Sequence, residues 1–354
     1  MLCREVDHPK AAIAVARRLL KCLADPIDVG GREVFVTASI GIALSNAEND
    51  TPETLLRNAD AAMYRAKSRG RACFATYDTR AAGSPAEILK IESELRRALQ
   101  RRELLLYYQP IVDLDTGLVI GFEALLRWQH PERGLVPPND FIGIAEESGL
   151  IVPMGDWVLE TACRQLVAWD APRDRGRSPL TVHVNLSARQ LDDPALANRI
   201  GRIMDRTGID ASALCLEITE HSLMRDGDQA TRTLDTLRAK GVRLSIDDFG
   251  TGYSSLSLLK RFPVESLKID RSFVAGLGVR DDDSSIVQAV ITLAHALGLT
   301  AVAEGLETPD QLKALRTLGC DFAQGYLLGR PLPPEQAGRL PADDLTAWHA
   351  EPGR

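Results

Sequence analysis

Between Leu104 and Tyr326 the chain repeats one pattern: a short apolar run, a polar residue where the run ends, then a stretch with apolar positions three and four apart. The runs are LLLYYQPIVDL, LVIGFEALLRW, LTVHVNL, ALCLEIT, VRLSIDD, SLKID, TAVAEG and the weaker DFAQGY, and each predicts a β-strand. Stretches such as DQATRTLDTLRAKG and SSIVQAVITLAHALG predict the helices between them. Runs with so few polar residues are buried on both faces, as in a mostly parallel sheet. The first two are joined through Asp-Thr-Gly, a turn sequence, and so form an antiparallel pair. The whole predicts an α/β fold, a TIM-like (β/α)8 barrel of about 260 residues with an antiparallel first strand pair. Its rival is an open doubly wound sheet. Against the rival, no glycine-rich phosphate loop opens the first βα unit, and polar residues end nearly every strand instead of gathering at one switch point.

The stretch Asp78–Glu87 (DTRAAGSPAE) is the clearest break, and ILKIESELRRALQRR after it reads as a helix. We therefore expect a segment 1–80, a linker 81–87, the barrel over 88–345 and a tail over 346–354. Within the first segment, AIAVARRLLKCL and PETLLRNADAAMYRAKSRG read as helices and EVFVTASIGIAL as a strand. That is a thin basis for an independent core, so the segment reads as an incomplete α+β domain.

The strand ends carry the chemistry. Glu123, Asn185, Glu217, Asp247, Asp248 and Glu304 each sit where an apolar run gives out. Carboxylates there are costly to desolvate unless a cation meets them. In a barrel all these ends converge on one mouth, and an oxygen-rich set of this kind suits hard divalent ions such as Mg²⁺ or Mn²⁺. One carboxylate bridging two ions and others holding each from the side would form a two-metal site, for which Asp247 and Asp248 are candidates. Lys268 ends the next strand and is suited to holding developing negative charge or orienting a water. Gln324 ends the last strand and can hydrogen-bond that water or a phosphate oxygen. Arg127 lies on the strand face of Glu123 and can grip a phosphate bidentately. Taken singly, an acid at a strand end is more often a helix cap. His183 shares the face of Asn185, but no histidine pair has ligand spacing, and it reads as packed or hydrogen-bonded. The loop DFGTGYSSL, with Gly250 and Gly252, reads both as a tight turn and as a mobile lid.

Bulk properties narrow the partners. A net charge of −7 argues against a nucleic-acid polymer as ligand. The six scattered cysteines, with no CxxC, read as reduced thiols of a cytoplasmic protein. No apolar run reaches the roughly eighteen residues needed to span a membrane.

Seven motifs in order (EALLRW, VNLS, EITE, DDFGTGYSSL, LKIDRSFV, AEGLET and AQGYLLGRPL) resemble the EAL family of cyclic-di-GMP phosphodiesterases over about residues 88 to 340. The resemblance implies metal-dependent hydrolysis of cyclic di-GMP to linear pGpG with two Mg²⁺ or Mn²⁺ ions, inhibition by Ca²⁺, and a homodimer through the barrel. It implies metal ligands at Glu123, Asn185, Glu217, Asp247 and Asp248, with Glu304 as ligand or base. Lys268 and Gln324 would position water or phosphate, and Arg127, Leu125 and Asp270 would meet the substrate. Glu307, Gly250 and Gly252 would support the mobile loop. A catalytically silent receptor that signals through the DFGTG loop and a dimer interface is the alternative. Residues 1–80 resemble the C-terminal half of a GGDEF domain, through VTASIGIAL, LLRNADAAMYRAKSRGR and FATYD. The GGDEF motif itself is not in the sequence, so no diguanylate cyclase activity is expected, and the chain reads as a fragment or a shortened gene product.

Overall fold

The computed structural model describes the chain except residues 1–8, 23–26, 29–32, 35–37, 46–50, 69–72, 78–84, 172–178, 224–226, 251–258, 260–261, 278–280 and 341–354. Gly252, most of the DFGTGYSSL loop, the linker over 81–84 and the tail 346–354 lie outside the described residues. The chain divides into two compact units, Met1–Lys90 and Ile91–Arg354.

In the first unit, helices Pro9–Cys22 and Pro52–Ser68 accompany four short strands: β1 (Ile27–Asp28), β2 (Glu33–Val34), β3 (Ile40–Ile42) and β4 (Phe74–Thr76). β1 pairs antiparallel with β2, and β3 pairs parallel with β4. The single strand expected over EVFVTASIGIAL is thus two, because the chain changes partner between Val34 and Ile40.

The helix expected from residue 88 starts earlier, at Pro85, and runs to Arg101. Proline tolerates a first helical turn because its missing N–H has no partner there anyway. Beyond the division, this helix buries Ile91, Leu95 and Ala98 at the four- and three-residue spacing of one helical face.

The second unit is a closed barrel. Its strands are β5 (Leu104–Asp113), β6 (Val119–His130), β8 (Thr181–Leu186), β9 (Leu214–Thr219), β10 (Arg243–Phe249), β11 (Ser266–Ile269), β12 (Thr300–Ala303) and β13 (Phe322–Ala323). A short β7 (Gly134–Val136) extends the sheet beside β6. The pairing of β5 with both β13 and β6 shuts the cylinder and rules out the open sheet. β5 is antiparallel to both neighbours; every other pair around the barrel is parallel. The turn from β5 to β6 is held by Asp113, whose Oδ1 accepts hydrogen bonds from the N–H groups of Asp115 and Thr116 at 3.0 and 2.8 Å.

Alternation sorts the residues of each strand. Val182, Val184, Leu214, Leu216, Ile218, Leu244, Ile246, Leu267 and Ile269 are buried in the apolar core. The intervening positions carry Thr181, His183, Asn185, Glu217, Ser245, Asp247, Ser266 and Lys268; hydrogen bonds cross from strand to strand between His183 and Glu217, Lys268 and Glu217, and Ser266 and Ser245. Ordinary β-periodicity therefore confines the polar groups to one side of each strand.

Candidate functional site

Lys268 is the hub. Its side chain is 1% exposed, and its Nζ lies 2.5 Å from Glu304, 2.7 Å from Glu217, and 3.5 Å from both Glu123 and Asp247. Four strands thus send carboxylates to one ammonium on a fifth. Asp248 joins through Asp247 and Glu304, the three offering ligand oxygens within 4.8 Å of one another. Asn185 donates from Nδ2 to Glu123 Oε1 at 2.7 Å, so it belongs to the same network.

Adjacent strand residues should face opposite sides, yet Asp247 and Asp248 both face the cluster. The register of β10 against β11 shifts between Ile246 and Phe249, and Asp248 adopts a left-handed φ of 54°. A bulge with a positive φ breaks the alternation and turns the second carboxylate inward.

Gln324 sits just past β13. Its Nε2 spends both hydrogens, on Glu123 Oε2 at 2.7 Å and Gln109 Oε1 at 2.9 Å. Gln109 is oriented in turn by donating to the Gly329 carbonyl at 3.0 Å. Gln324 Oε1 is left buried without a protein partner. A buried acceptor of this kind costs about 1–3 kcal/mol until a donor reaches it.

The remaining expected residues are spread around this centre. Arg127 and Leu125 lie on the strand face of Glu123 and are half-buried. The Arg127 guanidinium donates to the Leu126 carbonyl at 2.8 Å and lies 5.7 Å from the Tyr107 ring centre. Asp270 caps helix Arg271–Val274 by accepting from the Ser272 N–H at 2.9 Å, and it also hydrogen-bonds Asp248. Glu307 is exposed, and its backbone N–H donates to Gln311. Glu220 Oε2 accepts the Gly250 N–H at 3.2 Å. Gly250 has φ 96°, which only glycine adopts without strain. Glu220 is the second acid of EITE, and its short offset from Glu217 was the available signal.

Five carboxylates around one ammonium leave the site short of positive charge. Burial lifts Glu217 well above the ordinary carboxylate range, with Glu123 and Asp247 adding to it against the pull of Lys268. Burial likewise lifts Glu304 to about 8, although Lys268 is beside it. Asp248 rises to about 6 through burial, then through Asp247 and Asp270. Burial would raise Glu123 as well, but Lys268, Gln324 and Asn185 together hold it below its usual value. Burial would lower Lys268, and the surrounding carboxylates override that and raise it. An all-oxygen donor set that protonates for want of charge fits hard divalent cations.

The sign of the pH effect follows. For Glu217, Asp248 and Glu304 the folded protein binds more protons than the unfolded chain, so stability falls as pH rises from the ordinary carboxylate range through about 8. We expect the metal-free protein to melt at a lower temperature at pH 8 than at pH 6. Scanning calorimetry in EDTA checks this, and Glu304→Gln should flatten the slope.

The EAL domain model matches residues 92–331, about two thirds of the chain. The chain belongs to the EAL family. The GGDEF diguanylate cyclase model matches residues 1–73, so the EAL domain is preceded by a partial GGDEF region. Among relatives, the bifunctional diguanylate cyclase/cyclic di-GMP phosphodiesterase MucR of Pseudomonas aeruginosa is 45% identical over 336 residues, covering 95% of this chain and 49% of MucR. The cyclic di-GMP phosphodiesterase PdeR of Escherichia coli is 39% identical over 320 residues, covering 90% of this chain and 48% of PdeR. The chain therefore spans about half the length of these curated relatives. A solved structure of the PaMucR phosphodiesterase in complex with c-di-GMP covers 70% of this chain and 99% of its own, at 48% identity and a TM-score of 0.67. The EAL barrel described above is thus shared with a protein seen holding that dinucleotide.

Proposed function

We propose that the chain hydrolyses one phosphodiester of cyclic di-GMP to give linear pGpG. The observation that carries this reading is the group of carboxylates around Lys268, in a domain whose relatives bear the phosphodiesterase name. Glu123, Asn185, Glu217, Asp247, Asp248 and Glu304 would hold two Mg²⁺ or Mn²⁺ ions. When bound, such ions supply Lewis-acid polarisation of the phosphate and of the attacking water.

The protein's own groups do the rest. Gln324 Oε1, buried and free, accepts a hydrogen from that water and fixes its direction of attack. Glu304 takes the water's proton, while Lys268 holds Glu304 in place and faces the developing charge. Water oxygen joins phosphorus as the bond to the 3′ oxygen breaks, and that oxygen takes up a proton from solvent while Glu304 releases its own. Arg127, Leu125 and Asp270 receive the dinucleotide at the mouth.

We place the enzyme in the cytoplasm, as a homodimer through the barrel, with residues 1–80 as a GGDEF-like segment. Among the described residues no helix is long and apolar enough to cross a membrane. The test is chromatographic detection of pGpG from cyclic di-GMP. Product should form with Mn²⁺ or Mg²⁺, cease in EDTA and be suppressed by Ca²⁺. Binding without product at saturating Mn²⁺ would overturn the enzyme in favour of the silent receptor.

Glu220 offers a further check. Glu220→Ala removes the acceptor that holds Gly250, and a hydrogen bond to a charged group is worth about 1.5–3 kcal/mol. Turnover should fall by about tenfold to a hundredfold, with Glu220→Gln recovering part of it. Steady-state kinetics decides, together with the rate of proteolysis inside the loop.

A further inference from the structure

The reaction as drawn makes no use of His183. Its side chain is 12% exposed, and its Nδ1 lies 2.9 Å from Glu217 Oε1. Lys268 takes the other oxygen of Glu217 at 2.7 Å. Glu217 is therefore gripped at both oxygens by nitrogen donors from two different strands, β8 and β11.

The far side of the imidazole is anchored too. Nε2 lies 3.2 Å from Thr181 Oγ1, two residues back along the same face of β8. Thr181 is buried, and its hydroxyl is 3.3 Å from the Ile120 carbonyl. The hydroxyl fills space left by Gly121, where an added Cβ would come within 2.2 Å of it.

Proton assignment follows from the partners. Glu217 is ionised when it ligates a cation and then only accepts, so in that state Nδ1 carries the hydrogen. Nε2 is in reach of the Thr181 hydroxyl, which itself donates to the Ile120 carbonyl, so the imidazole is held between Thr181 and Glu217.

From this arrangement we infer that His183 is a positioning residue: its Nδ1–H holds Glu217 in the orientation that ligates a divalent cation, and Thr181 holds the ring from its far side. The inference rests on the reading of Glu217 as a cation ligand. Lys268 cannot do this alone, because its three hydrogens are divided among four carboxylates. A carboxylate has about four lone-pair sites, so two donors still leave room for an ion.

The test is calorimetric titration of Mn²⁺ into the metal-free full chain. Removing a hydrogen-bond partner of a ligand typically costs about 10–100-fold in metal affinity, and His183→Leu should show a loss of that size. His183→Asn, which keeps an N–H donor, should recover most of it. Turnover of cyclic di-GMP by the leucine variant should rise toward wild type as Mn²⁺ is raised, a rescue that a merely packed histidine would not give. Wild-type Mn²⁺ affinity in His183→Leu, or equal losses in the leucine and asparagine variants, overturns the inference. Thr181→Val serves if the leucine variant does not fold, and unchanged affinity there counts against the inference. Glu217→Gln is the control: if it binds Mn²⁺ normally, Glu217 is no ligand and both readings fall. If only Glu217→Gln is impaired, the positioning role alone fails.

Discussion

Lys268→Met is expected to abolish turnover and to remove a large share of the metal-free protein's stability. The side chain is almost wholly enclosed and neutralises Glu217, Glu304, Glu123 and Asp247 together. Taking away one partner of a buried ion pair costs about 3–5 kcal/mol, because the other charge stays behind unpaired. Four carboxylates lose the ammonium they share in this variant, so the upper end of that range is expected. Globular domains have only about 5–15 kcal/mol in total. Removing a preorganised charge from an active site costs about 10²–10³ in rate, and here the same group also orients Glu304. Mn²⁺ should restore much of the lost stability by supplying charge, yet leave turnover absent. Chemical denaturation with and without Mn²⁺, beside a product assay, separates the two effects. Wild-type turnover in the methionine variant would remove Lys268 from the mechanism.

Glu123→Ala should lower product formation by about a thousandfold or more, the several kcal/mol that a metal contributes to a transition state. Its carboxylate accepts from Asn185 on β8 and from Gln324 beyond β13, and it faces Lys268 on β11. Alanine at 123 therefore also leaves the amides of Asn185 and Gln324 without their acceptor, and a drop in melting temperature should accompany the lost activity. Glu123→Gln, which keeps an oxygen acceptor, should recover stability better than rate. Product formed equally by the alanine variant would contradict the site as drawn.

What the sequence made legible was periodic. Apolar runs marked eight strands, and their polar ends marked Glu123, Asn185, Glu217, Asp247, Asp248, Lys268, Glu304 and Gln324, which the fold gathers into one network. The bulge that turns Asp248 inward has no such signature, since strand geometry taken alone sends neighbouring side chains apart. The residues that hold the network in place were also hidden. Gln109 meets Gln324 across 215 residues of chain, and His183 meets Glu217 across 34. No spacing rule joins positions so far apart. Gly250 takes its hydrogen bond from Glu220, a position that the strand-end pattern does not single out.

The reversal of β5 has a mechanical consequence. In an all-parallel barrel the first strand enters at the end away from the chemistry. Here Leu104 pairs with Trp128, beyond Glu123 toward the C-terminal end of β6, so the polypeptide enters on the working side. Helix Pro85–Arg101 leads directly into that strand. Torque applied to it would be delivered beside Tyr107 and Arg127, where the dinucleotide is expected to enter, with no need to travel through the cylinder.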